Sequence, residues 1–70
     1  MGNGTVEVRH WIATNRDGHV YAYGYHNKPV RCNGYWFGMG IILDDEDLRQ
    51  LPRVPTWEDE PVLEDFDPWQ

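Results

Sequence analysis

The chain has no serine, a single cysteine and no apolar run approaching the roughly 20 residues of a bilayer-crossing helix. Each absence closes a class of function. Lack of serine removes the commonest activated hydroxyl, and Cys32 sits beside Asn33-Gly34 with no base evident near it in the sequence. One thiol cannot build the disulfide framework that small secreted domains normally require, which points to a reducing, cytoplasmic setting and no membrane role. The borderline or soft metal ligands His10, His19, His26 and Cys32 match no closed zinc spacing. The run Asp44-Asp45-Glu46-Asp47 lacks the alternation and the glycine of a calcium loop. Neither a metal nor another cofactor is expected.

Against these absences stand ten aromatic residues, four Trp, four Tyr and two Phe, in a chain of 70. That length allows one domain, and a domain so small buries only about 60% of the surface its unfolded chain exposes. Each ring can bury roughly 150–250 Å², so the aromatics supply core that the few Leu, Ile and Val residues cannot. A multi-step active site with its own supporting shell is hard to stabilise on this scale. Binding rather than catalysis is expected.

The net charge of −6 is unevenly spread. Residues 1–43 carry Glu7 and Asp17 against Arg9, Arg16, Lys28 and Arg31, a net of +2, whereas residues 44–70 carry ten acids against Arg49 and Arg53, a net of −8. A mildly basic head and an acidic tail either fold together or offer two surfaces of opposite sign to partners.

The head reads as strands. Thr5 to Thr14 alternates with a period of two, Asn15-Arg16-Asp17-Gly18 has the chemistry of a three-residue hairpin loop closed by a glycine bulge, and His19 to Tyr25 alternates again. With that loop, Trp11 pairs with Tyr23, Ala13 with Tyr21 and Arg9 with Tyr25. One face then holds Val6, Val8, His10, Ile12, Val20 and Ala22. The other holds Arg9, Trp11, Ala13, Tyr21, Tyr23 and Tyr25. A two-residue loop would scramble this sorting.

Asn33-Gly34 signals a tight second hairpin between Val30-Arg31-Cys32 and Tyr35-Trp36-Phe37, and the alternation from Tyr35 to Leu43 predicts one long third strand. Gly38 and Gly40 within it suggest a bulge or a close backbone approach. Asp44 reads as a helix N-cap, with Leu43 placed to staple onto Leu48 and Pro52 ending the helix. The expected architecture is mainly β: a small antiparallel meander of three to four strands with one short helix over residues 5–51. Residues 52–70 form an extended acidic arm rich in proline and aromatics, part of the same domain if docked.

Two surfaces carry the functional expectations. Arg9, Trp11, Tyr21, Tyr23, Tyr25 and Arg31 form a ring-rich platform on which a nucleotide would stack while the guanidinium groups neutralise phosphate. The alternative for the same rings is that the thin sheet covers them with the arm or with a second copy of the chain. In the arm, Trp57, Phe66 and Trp69 would anchor a protein contact while Glu58, Asp59 and Glu60 plug a basic groove.

His10-Trp11-Ile12-Ala13-Thr14, then Asp17-Gly18, Tyr21, Lys28-Pro29 and Pro55-Thr56-Trp57-Glu58-Asp59-Glu60-Pro61, resemble small accessory proteins encoded by bacterial phages and mobile elements. The likeness covers the first hairpin and the arm and implies a setting, the host cytoplasm, rather than a reaction. Such accessory proteins often act against host defence by binding. The leading expectation is therefore a non-enzymatic counter-defence protein that sequesters a signalling nucleotide at an aromatic interface between copies of itself, as a homodimer or higher oligomer. The alternatives are an inhibitor of a host defence protein acting through the acidic arm, a single-stranded nucleic-acid binder, and a purely structural accessory protein. The −6 charge opposes the nucleic-acid reading.

Overall fold

The computed structural model describes residues 8–66. Six short strands and one helix make up two antiparallel sheets: β1 (Arg9–Thr14), β2 (Val20–Gly24), β3 (Val30–Cys32), β4 (Tyr35–Phe37), β5 (Gly40–Ile42), α1 (Asp45–Arg49) and β6 (Val62–Asp65). The main sheet has the order β5-β2-β1-β6, and β3 with β4 forms a separate ribbon. The mainly β reading holds. The order is not a simple meander, because β6 returns from the end of the chain to pair with β1.

The first hairpin has the expected register, with Trp11 opposite Tyr23, Ile12 opposite Ala22 and Ala13 opposite Tyr21. Its loop is the three-residue form: the Gly18 amide donates to the Asn15 carbonyl and the Asn15 amide to the His19 carbonyl, both at 2.9 Å. Gly18 takes φ +94°, a region that costs glycine nothing. The Asp17 carboxylate accepts from the His19 amide at 3.0 Å and fixes the turn.

This register sorts the side chains into two layers. On one face Ile12, Val20, Ala22, Leu43, Leu51 and Phe66 form the aliphatic core, with Ile41, Leu48 and Val62 packed against it. Helix α1 closes that core. Asp44 caps it in a reciprocal capping box with Asp47, and Leu43 and Leu48 both meet the core as the staple predicts. Five residues are too few to hold a helix alone, so these contacts maintain it.

The other face is covered by the ribbon. Ala13 and Tyr23 of the main sheet and Trp36 of β4 form a second buried cluster, flanked by Trp11 and Tyr21. Asn33 and Gly34 both take positive φ, 54° and 83°, which gives the tight two-residue turn that Asn-Gly predicts.

The long third strand is not formed as one piece. Its first part pairs with β3 in the ribbon and its last part with β2 in the main sheet, so the chain must step between layers at Gly38 and Met39. Gly38 takes φ +159° at the step. A Cβ on Gly40 would lie 2.6 Å from the Tyr23 ring, so that ring occupies the space a side chain would need. The glycines thus mark the close approach expected. The break escapes notice in the sequence because the alternation continues across it.

Residues 52–66 do not project. Strand β6 pairs Leu63 with Trp11 and Asp65 with Arg9, and the Thr14 hydroxyl donates to the Pro55 carbonyl at 2.7 Å. The arm is the fourth strand of the sheet and belongs to one domain with the rest. The part of the first predicted strand before Val8, and the expected anchor Trp69, lie outside the described residues.

Candidate interaction surface

The cations of the head all sit on rings. Arg9 lies 4.8 Å from the centre of Tyr25, Arg16 5.4 Å from Trp57, Lys28 4.7 Å from Trp11 and Arg31 4.4 Å from Trp36. Such contacts contribute about 0.5–1 kcal/mol at exposed sites and more where water is excluded. They spend the positive charge of the head on the protein's own aromatic residues.

Arg31 makes the tightest set of contacts. Its guanidinium donates to the carbonyls of Trp57, Glu58 and Asp59 at 2.9, 3.2 and 2.9 Å while its plane covers Trp36. The planar fork suits several carbonyls at once, which a lysine could not match. Asp59 fixes the same turn from within, accepting from the Thr56 amide at 2.9 Å, and this bond holds its carboxyl below the usual value. Glu58, Asp59 and Glu60 therefore stand exposed on a rigid turn. The Arg31–Glu60 ion pair itself is long, 3.9 Å, with the Glu60 side chain 81% exposed, so it adds little.

The remaining platform residues separate by burial. Tyr23 is 2% exposed, and its hydroxyl donates to the Trp36 carbonyl at 3.2 Å. Burial, with Tyr21 nearby, pushes its phenol above the ordinary value. Trp11, Tyr21 and Tyr25 are half-buried, and the Trp11 indole donates to the Tyr25 carbonyl at 2.9 Å. The structure thus brings Arg9, Trp11 and Tyr25 together at one end of the face. Tyr23 lies beneath the ribbon, and Arg31 is engaged with the arm. Of the arm anchors, Trp57 is half-buried under Arg16, and Phe66 is 3% exposed in the aliphatic core. Neither ring is presented to solvent as a free anchor.

What covers the platform is the ribbon, and the ribbon is held by polar ties. The Trp36 amide donates to the Asn15 side-chain oxygen at 2.7 Å, and the Arg16 amide to the Gly34 carbonyl at 2.9 Å. The Trp36 indole N–H is buried without a partner among the described residues, and the ring is kept by packing and by the Arg31 guanidinium over it.

A two-stranded ribbon has two faces, and pinning one leaves the other out. Val30 stands opposite Phe37 and Cys32 opposite Tyr35, so these four share the outer face. Val30 is 69% exposed, Phe37 60% and Tyr35 38%. None of these four is among the binding residues expected from the sequence. The signal was present in the tight turn: with Arg31 and Trp36 paired and inward, the alternate residues on both strands, Val30, Cys32, Tyr35 and Phe37, fall on the opposite face. Beyond the ribbon, Met39 is 85% and Ile42 56% exposed, and no charged residue occurs from Cys32 to Leu43.

A cleft of about 330 Å³ between β2 and the β5 segment is lined by His10, Ala22, Gly24, Asn27, Met39 and neighbours. His10 donates from Nδ1 to the Val8 carbonyl at 2.9 Å and meets Phe66 edge-on. Among the described residues, no three His, Cys, Asp or Glu side chains gather as a metal site, and no helix is long and apolar enough to cross a membrane. No protein-family model, no curated protein and no solved structure matches this chain.

Proposed function

We propose that the chain is a non-catalytic binding protein that docks a partner protein through the outer face of its β3–β4 ribbon. The observation that carries this reading is the pair Val30 and Phe37, opposite each other and 69% and 60% exposed, on a ribbon whose inner face is fixed by Trp36 and Arg31. A rigid apolar surface loses little entropy on docking, so its burial converts efficiently into affinity. Phe37 and Tyr35 supply the aromatic anchors on which such contacts depend. The acidic turn at Glu58 to Glu60 flanks the ribbon through Arg31 and favours a partner with a basic rim. This agrees in kind with the phage accessory proteins that the sequence resembles, where a counter-defence protein blocks a host protein by occupying its surface.

A second reading keeps the nucleotide. Lys28 over Trp11, beside half-buried Tyr25, is a basic and aromatic strip that offers phosphate a cation and a base a ring.

The two separate in parallel assays. Proteins from the host cell retained by wild-type chain, retained more weakly by Glu58→Gln/Glu60→Gln, and lost from a folded Phe37→Ser variant, support the ribbon reading. Retention by Phe37→Ser overturns it. For the second reading, cyclic or linear nucleotides should raise the melting temperature of wild type but not of Lys28→Ala; an equal rise in both rejects that site.

A further inference from the structure

The two edges of the main sheet are protected very differently. Strand β6 is preceded by Pro61 and carries Glu64 and Asp65, the usual devices that keep an edge from pairing with another chain. Strand β5 reads Gly40-Ile41-Ile42, with neither charge nor proline, and Ile42 is 56% exposed.

The backbone of β5 is aimed for pairing. The Leu43 amide donates to the Val20 carbonyl at 2.8 Å, and in an antiparallel ladder alternate residues bond inward, so Leu43 and Ile41 face β2. Gly40 and Ile42 therefore direct their N–H and C=O groups away from the sheet, where no described strand meets them.

We propose that β5 pairs with β5 of a second copy, antiparallel about a two-fold axis at Ile41, joining two four-stranded sheets into one of eight strands. The register is self-complementary. Gly40 of each copy faces Ile42 of the other, and both residues exchange their outward hydrogen bonds. Ile42 and Gly40 lie on the aromatic face, opposite Tyr21 and Tyr23. The Ile42 side chain then comes beside the Tyr23 ring, which fills the space over Gly40.

Charge favours a second copy here despite the net −6. The contact segment is uncharged from Cys32 to Leu43, so the first acid on each side is Asp44. In this register Asp44 of one copy falls beside Gly38 of the other. The two Asp44 residues are six strand positions apart, about 20 Å, well beyond the roughly 8 Å over which charges act at physiological salt. An acidic or basic partner strand finds no counter-charge along this edge, whereas a second copy brings an equally neutral one.

This inference goes beyond the ribbon reading, because it uses a different surface. The full chain is followed by sedimentation equilibrium over a concentration series, with amide hydrogen exchange read at Gly40 and Ile42. Wild type is expected to approach twice its 8.3 kDa mass as concentration rises, with protection growing at both amides. Ile42→Lys, which places a charge on the edge, and Ile42→Pro, which removes an outward rather than an inward donor, are expected to stay monomeric with unchanged circular dichroism. A monomer at every concentration overturns the proposal, as does a dimer that survives both substitutions. A dimer abolished by Phe37→Ser but kept by Ile42→Lys assigns self-association to the ribbon and also overturns it. Loss of partner capture by Phe37→Ser with an intact wild-type dimer tests the other reading alone.

Discussion

The two faces of the main sheet are closed by different means. The aliphatic face is covered by segments bearing Leu43, Leu48, Leu51 and Phe66, whose side chains meet it through apolar contact. The aromatic face is covered by a ribbon that would slide without polar guides, so Asn15, Arg16, Tyr23 and Arg31 each tie it to a defined position. Apolar burial is undirected, whereas hydrogen bonds and guanidinium stacking specify register. The lesson is that the platform's cations and rings act first as fasteners, and the surface available to a partner is the one the fastening leaves outside.

The comparison breaks most severely at Ile12, which is fully buried at the centre of the aliphatic face. Ile12→Ala is expected to cost about 2–5 kcal/mol in denaturant unfolding, lowering both layers together because they share β1. Arg31→Ala is expected to cost about 2 kcal/mol, the scale of hydrogen bonds to a charged group. It should loosen the ribbon and the 57–59 turn while leaving the aliphatic cluster ordered, as read by near-ultraviolet circular dichroism against methyl chemical shifts. Equal loss in both layers would contradict the division.

The smallest effects are those of pH. Asp44 and Asp59 are held below the ordinary value of 3.8, chiefly by the backbone amides of Asp47 and Thr56. Their contribution is therefore present above pH 4 and lost as pH falls through the lowered folded values. Burial holds Tyr23 above the ordinary value of 10.0, so its contribution is complete below pH 10 and lost as pH rises through the folded value. Between these limits these three groups contribute no slope. Asp44→Asn should flatten the acid limb and Tyr23→Phe the alkaline one in unfolding curves.

Much of the fold was legible in local chemistry. The Asn-Arg-Asp-Gly loop set the first register, Asn33-Gly34 the second turn, and Asp44 with Leu43 the helix start, because each signal acts within a few residues. The candidate site was legible only in part. Trp11 and Tyr23 do share a face, yet nothing local says that Trp36 will cover Tyr23, or that Arg31 will reach carbonyls 26 to 28 residues away. Those are long-range contacts, decided by which layer the glycines at 38 and 40 allow the chain to enter. The pairing of β6 with β1 was hidden for the same reason, because prolines and acids make that segment look solvated.

The most direct measurement is hydrogen exchange of the Trp36 backbone amide, the donor to buried Asn15. If the chain closes its own aromatic face, this amide is protected to nearly the same degree as the amides of β1. Exchange at the rate of a free peptide, with Ile12 still protected, would show the ribbon detached and the rings uncovered.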